Sequence, residues 1–330
     1  MTDITIITES ELRRHISLNR SVHDIIEQAF ASLAGGQVIM PPVLSMELPQ
    51  VNGEVDVKTA YIPGLDHFAI KISPGFFDNP ARGLPSLNGL MVTLDAQTGV
   101  VTSVLLDNGY LTDIRTAAAG AVAARHLAPR KIEVAGIIGC GTQARLQAQA
   151  LLMERKVEKI LVWGRDFQRA RQYAVEMAAL LDTEVEAVAD VKTAVSDSQI
   201  VISTTPAKSP LIMADWLHPG LHITAMGSDS PEKNELAPEV LINVDKVVVD
   251  REQQSRERGE LRTAIASGIW NDSYHTLELA DICANPALGR QNDDEITLCD
   301  LTGTGIQDTA IASYALDICR QAQAGSVIHS

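Results

Sequence analysis

Glu133-Val-Ala-Gly-Ile-Ile-Gly139-Cys-Gly141-Thr-Gln-Ala144 is the stretch that decides the architecture. Its first half is nearly all apolar, which suits a strand buried on both faces of a parallel sheet. The spacing Gly139-x-Gly141-x-x-Ala144 follows, and Thr142–Met153 then has helical composition. Gly139 permits a tight turn, Gly141 lets the backbone approach a pyrophosphate, and Ala144 keeps the helix close to the strand. Free N–H groups at the helix N-terminus then face the phosphates. Strand before and helix after is the context that turns a common glycine pattern into a dinucleotide site. An acidic residue about 20 residues further on would hold the ribose hydroxyls. Here Lys159–Trp163 ends in Gly164-Arg165-Asp166. Asp166 suits the ribose of NAD and Arg165 the 2′-phosphate of NADP, so both cofactors stay open. Two solvated loop charges are the plain alternative.

Beyond the fingerprint the alternation of strand and helix continues through Glu184–Ala187, Ile200–Thr204, His222–Met226, Lys246–Val249 and Ile296–Cys299, with one long helix expected over Arg251–Ala266. This predicts a doubly wound parallel sheet with helices on both faces. Before it, Thr112–Leu127 reads as a helix, and residues 40–106 are short β-rich runs separated by Asn52-Gly53, Pro63-Gly64 and Pro74-Gly75. That is an antiparallel meander. Two helices open the chain, and a last one, Gln307–Ala322, is free to return to the first domain. The fold class is therefore α/β: a doubly wound sheet plus a second, α+β domain.

The 330 residues are 45% apolar and 21% charged, enough to bury the cores of two domains. A net charge of −15 repels phosphate backbones and anionic headgroups, so neither a nucleic-acid nor a membrane role is expected. No signal peptide or bilayer-length apolar run is evident. The four cysteines, Cys140, Cys283, Cys299 and Cys319, are too scattered for a disulfide framework. A cytoplasmic protein with reduced thiols is the expectation. His218 and His222 flank Pro219-Gly220, which breaks any helix between them, so no metal site is expected.

Three further stretches accompany the fingerprint: Ala69-Ile-Lys71 with Gly83-Leu-Pro-Ser-Leu-Asn88, Leu105-Leu-Asp107-Asn-Gly-Tyr-Leu-Thr-Asp113-Ile-Arg115-Thr-Ala-Ala-Ala119, and Asp300-Leu-Thr-Gly303-Thr-Gly-Ile-Gln-Asp308. In this order, over nearly the whole chain, they resemble the ornithine cyclodeaminase/mu-crystallin family. Asp56-Val-Lys58-Thr-Ala-Tyr61 and Ser73-Pro-Gly-Phe-Phe-Asp-Asn79 are similar to the branch often labelled cyclodeaminase of ectoine utilisation. The resemblance implies a substrate-binding and dimerisation domain over 1–127 with 307–330, and a Rossmann-type dinucleotide domain over 128–306. It also implies a homodimer and an active site in the cleft between domains.

By the same resemblance, Lys71 and Arg115 are substrate and nicotinamide-side contacts, Asp229 is the catalytic carboxylate with Lys71 beside it in the chemistry, and Lys233 lies near the cofactor. Asn88, Thr116, Thr142, Gln143, Thr204, Met226, Gly227 and Gly303 join the cofactor's surroundings. The residue types fit hydride removal from an amino-acid Cα, which needs a carboxylate to take the amine's proton and fixed cations for the substrate carboxylate. The family's arginine after the proline near Pro41-Pro42 is missing, because the run continues Val43-Leu-Ser45. Carboxylate capture then falls to Lys58, Lys71 and Arg115.

The leading expectation is an NAD-dependent cyclodeaminase turning a small diamino acid, of ornithine or lysine class, into a cyclic imino acid with loss of ammonia. Its runner-up is an NAD(P)H-dependent imine reductase or amino-acid dehydrogenase. The third is a non-catalytic, NADP-binding protein like mu-crystallin.

Overall fold

The computed structural model describes residues 3–271 and 273–329. Internal contacts divide the chain into one unit of Met1–Arg115 with Thr304–Ser330 and another of Thr116–Gly303. The first boundary falls inside a helix, at Arg115, rather than after it at Leu127. The second falls at Thr304.

In the first unit, β1 (Asp3–Thr8), α1 (Glu9–His15) and α2 (Arg20–Ala34) precede β2 (Leu44–Leu48), β3 (Gly53–Ala60), β4 (His67–Phe76), β5 (Leu90–Asp95) and β6 (Val101–Leu106). Helix α3 (Tyr110–Leu127) then leads out of the unit. The strands β2 to β6 pair antiparallel in chain order, as the meander required. Beyond β6 the sheet gains β1, in parallel, and the C-terminal strand Ser326–His329, antiparallel to β1. Neither strand was foreseen. Pro74-Gly75, read as a turn, lies within β4 opposite Val55 and Glu54. There the Pro74 carbonyl still accepts from the Asn88 N–H, 3.1 Å away, so the strand tolerates a residue without a donor of its own.

In the second unit the order is β7 (Ile132–Ile138), α4 (Thr142–Glu154), β8 (Val157–Trp163), α5 (Phe167–Leu181), β9 (Glu184–Ala187), α6 (Val191–Ser196), β10 (Ile200–Ser203) and β11 (His222–Ala225). After these come α7 (Pro238–Ile242), β12 (Lys246–Val249), α8 (Glu252–Arg258), α9 (Glu260–Ala266), β13 (Leu277–Glu278), α10 (Leu279–Ala284) and β14 (Thr297–Asp300). The sheet runs β13-β12-β14-β11-β10-β7-β8-β9, all parallel. Its two faces are packed by separate apolar cores, one around Ile137, Ala144 and Tyr173, the other around Ile223, Val240 and Trp270. The single helix expected over Arg251–Ala266 is two, broken at Gly259. A Cβ there would lie 2.3 Å from Asp300 Oδ2, and that oxygen accepts the N–H of Glu260 at 2.9 Å.

Helix α11 (Gly305–Gln321) belongs to the first unit, where it packs on β3, β4 and α2 and is followed by β15 (Ser326–His329). No helix among the described residues is long and apolar enough to cross a membrane.

Candidate active site

Alternation puts Lys58 and Lys71 on the same sheet face as Ala60 and Ala69, and the two lysines are direct cross-strand partners. Helix α11 covers that face. Thr309 clips it down by accepting from the Ala69 N–H (3.1 Å) and donating to the Ala60 carbonyl (2.8 Å). At Gly305 a Cβ would sit 2.2 Å from the Thr59 carbonyl, so only glycine lets the helix start this close. One turn on, Asp308 enters the covered face. Its Oδ1 lies 3.0 Å from Lys71 Nζ and 3.0 Å from Arg115 Nε, with all three side chains buried. Arg115 also donates from Nη1 to Gln307 at 2.8 Å.

Lys58, Lys71 and Arg115 all lie close to the Asp308 carboxyl, and all four side chains are buried. Burial, then the Arg115 guanidinium, pull the Lys71 ammonium down to about 7, and Asp308 only partly restores it. Burial alone would raise Asp308, but Lys71, Arg115 and Lys58 outweigh it and hold the carboxyl below its usual range. Three cationic side chains held close together out of bulk water favour the negative charge of a carboxylate. Lys71 can also exchange a proton near neutrality. Asn88, by contrast, is exposed, and its Oδ1 accepts from the adjacent Gly89 N–H.

In the second unit the fingerprint forms the turn between β7 and α4. Gly139 has φ +119°, and a Cβ there would meet Thr204 Oγ1 at 2.6 Å. Gly141 is different: its φ is −87° and a Cβ would meet nothing within 4 Å. Packing within the chain does not demand that glycine, whereas close approach of a phosphate does. Thr142 and Gln143 open the helix, and Ala144 is fully buried, its carbonyl accepting from the Tyr173 hydroxyl at 2.8 Å. These residues fit a dinucleotide pyrophosphate.

Asp166 is the N-cap of α5, accepting from the N–H groups of Gln168 and Arg169, while Arg165 is exposed. The Thr116 carbonyl accepts from Gln147, and the Gly303 N–H donates to Asp250 at 2.7 Å. Met226, Gly227 and Asp229 follow β11, and Lys233 Nζ reaches Asp229 Oδ1 at 2.5 Å. The Asp229 side chain is 48% exposed.

Residues 3–323 match the profile of the ornithine cyclodeaminase/mu-crystallin family. The chain belongs to that family. Within it, a putative dehydrogenase of Rhizobium meliloti is 48% identical over the full length of both chains. An uncharacterized cyclodeaminase of Sinorhizobium fredii is also 48% identical, again over the full length of both. Among solved structures, the Δ1-pyrroline-2-carboxylate reductase of Thermococcus litoralis, in complex with NADH and L-proline, superposes with a TM-score of 0.93 at 29% identity, covering 98% of this chain and 100% of that one. Members of the family are thus named as both redox and deaminating enzymes, and the names alone do not separate the two.

For this family member, sequence reasoning brought Lys58, Lys71 and Arg115 forward and missed Asp308. The residue stood in a quoted motif, six residues before which lies Thr302, but nothing local marks it as the counter-ion of a strand in the N-terminal half. Only the return of α11 to the first unit does so.

Proposed function

We propose that the protein is an NAD-dependent oxidoreductase that interconverts a small imino acid and its amino acid. The observation that carries this is the buried trio of Lys58, Lys71 and Arg115 around Asp308, which suits capture of the substrate carboxylate. Gly139, Gly141 and Ala144 would hold the pyrophosphate of NAD, which when bound would supply or accept the hydride. Arg115 orients the carboxylate as a planar fork and Lys58 as a point charge. Lys71, poised near neutrality, gives a proton to the substrate nitrogen in reduction and takes it back in oxidation. In the second unit, Asp229 is the carboxylate we propose for proton exchange.

A redox-neutral cyclodeaminase of ornithine or lysine is the second reading, favoured by Asp56. It lies on the Lys58 face of β3, one same-face step along the strand, about 7 Å away. A side-chain amine would meet that carboxylate. Asp56 is, however, already engaged by Ser45 Oγ at 2.5 Å. The net redox reading therefore comes first.

One assay separates them. Cyclic and open imino acids are incubated with NADH or NADPH, and ornithine or lysine with sub-stoichiometric NAD, while ammonia and reduced nicotinamide are followed. Stoichiometric loss of NADH on an imino acid supports the reductase. Ammonia in excess of the NAD supplied, with no lasting NADH, supports cyclodeamination instead. Asp229→Asn is expected to keep nucleotide affinity and lose turnover by about a hundredfold or more.

We further infer a homodimer built on the first unit. The sheet face opposite α11 is apolar (Val57, Ile70, Ile72 and Val92 half-buried), and on it Leu44 and Met46 are 61% and 49% exposed. A patch of that kind marks an interface. Met46→Glu, at an exposed position, is expected to give a folded monomer by light scattering, and an unchanged mass would refute this face as the interface.

A further inference from the structure

We infer that Glu235 is the positioning residue that sets the dinucleotide-facing loops of the second unit, holding them from beneath through a chain of three buried carboxylates. The inference rests on the nucleotide reading above. Glu235 is fully buried and sits between the ends of β10 and β11. Its Oε1 accepts from the Thr205 N–H (2.6 Å) and the Thr205 hydroxyl (2.7 Å). Its Oε2 accepts from the Gly227 N–H (2.8 Å) and the Ser203 hydroxyl (2.7 Å).

The two loops so joined are tight against each other. A Cβ at Gly227 would lie 2.1 Å from the Thr205 carbonyl and 2.5 Å from Glu235 Cδ. The first loop also carries Thr204, whose Oγ1 is the atom nearest the missing Cβ of Gly139. One carboxylate therefore fixes the loop that backs the fingerprint turn and the loop that leads to Asp229.

Glu235 is itself held. Its N–H donates to Glu260 Oε1 at 2.8 Å, while Glu260 Oε2 accepts from Leu236 N–H (3.1 Å) and Asn234 Nδ2 (2.6 Å). The N–H of Glu260 in turn donates to Asp300 Oδ2 at 2.9 Å, at the end of β14. Each acid grips the backbone that presents the next, so the position of β14 is transmitted across β11 to β10. Buried carboxylates are costly, and an apolar filling would be cheaper. Their retention is explained if backbone placement, rather than stability, is what they supply.

The decisive feature is that each oxygen of Glu235 faces one backbone N–H, which cannot rotate away as a hydroxyl can. Glu235→Gln must turn its NH2 toward one of the two N–H groups whichever way the amide flips. The variant is expected to weaken NADH binding about tenfold or more by fluorescence titration. The KM for the nucleotide should rise with it while the KM for the amino or imino acid stays put. Mere loss of fold would instead lower the active fraction and leave both KM values unchanged. Should Glu235→Gln not fold, the double variant Ser203→Ala/Thr205→Ala replaces it. It removes both hydroxyl donors and keeps both N–H groups, and is expected to weaken binding about threefold or more. Unchanged NADH affinity in whichever variant folds overturns the role of Glu235. A wild-type protein that binds neither NADH nor NADPH overturns the nucleotide reading itself, and the inference with it.

Discussion

Lys71 on β4 and Asp308 on α11 meet at 3.0 Å, with side chains 3% and 0% exposed. A pair buried this deeply gains from Coulomb attraction only what it does not lose in desolvation, so it is poor evidence for stability. It is better understood as a device for holding an ammonium at a chosen place with a chosen acidity.

That acidity gives a pH prediction. Lys71 stands at about 7, burial being the largest cause, and Asp308 pulls in the opposite direction. If Lys71 donates the proton in reduction, kcat falls as pH rises through about 7, and in the oxidative direction it rises over the same range. Asp308→Asn removes the anion that favours the charged amine, so Lys71 titrates lower and both limbs move to more acid pH. Lys71→Met removes the limb and about two orders of magnitude or more of kcat. A profile of kcat against pH in both directions checks this, and a limb that survives in Lys71→Met assigns it elsewhere.

The two fingerprint glycines are expected to behave differently when changed to alanine. Gly139→Ala places a Cβ 2.6 Å from Thr204 Oγ1 on a backbone at φ +119°, so the fold itself should lose about 1–3 kcal/mol. Gly141→Ala meets no protein atom and keeps an ordinary φ. At an N-cap it should cost less than about 1 kcal/mol. NADH affinity is nevertheless expected to fall about tenfold or more, because the new methyl occupies the space a phosphate needs. Thermal melts and titrations on the same samples separate the two effects. A Gly141→Ala protein that binds NADH normally would remove the pyrophosphate from this turn.

What was legible in the sequence, and what was not, follows from how far each interaction reaches. The parallel sheet and the fingerprint are local patterns: an apolar strand, a glycine spacing and a helix within Glu133–Glu154. The helix break at Gly259 was hidden because its cause, the Asp300 carboxylate, lies on another strand. Lys71 presented the opposite difficulty. In Phe68-Ala-Ile-Lys-Ile72 the large residues alternate with Ala69 and Lys71, so the lysine face reads as the solvent side. It is the covered side, since the small residues there admit α11 and Thr309. The N-terminal and C-terminal strands escaped notice because β1 and β15 need each other and β6 for pairing. Asp166, offered as a ribose ligand, has in addition a local use that the sequence reading did not weigh: its Oδ1 caps α5.

The carboxylates beneath the second sheet make a prediction about stability. Burial first, then the charge of Asp250 beside it, raise Asp300 to about 7, and burial followed by Asp300 and Glu235 raise Glu260 to about 8. Both folded values lie above the unfolded ones, so the folded state binds more protons across the interval between them. Their contribution is complete below about pH 4 and is lost as pH rises through about 7 and then about 8. Melting temperature should therefore fall between pH 5 and 9. Asp300→Asn keeps an oxygen for the Ser255 hydroxyl and the Glu260 N–H, and places its NH2 where Oδ1 has no hydrogen-bond partner. It also removes the charge that raises Glu260. The variant should be close to wild type at pH 5, more stable than wild type at pH 8.5, and flatter in between. Calorimetry across this range decides the matter: a wild-type curve that rises from pH 5 to 8.5, or an Asp300→Asn variant destabilised most at pH 8.5, would mean that the two acids are ionised and well paired in the folded protein.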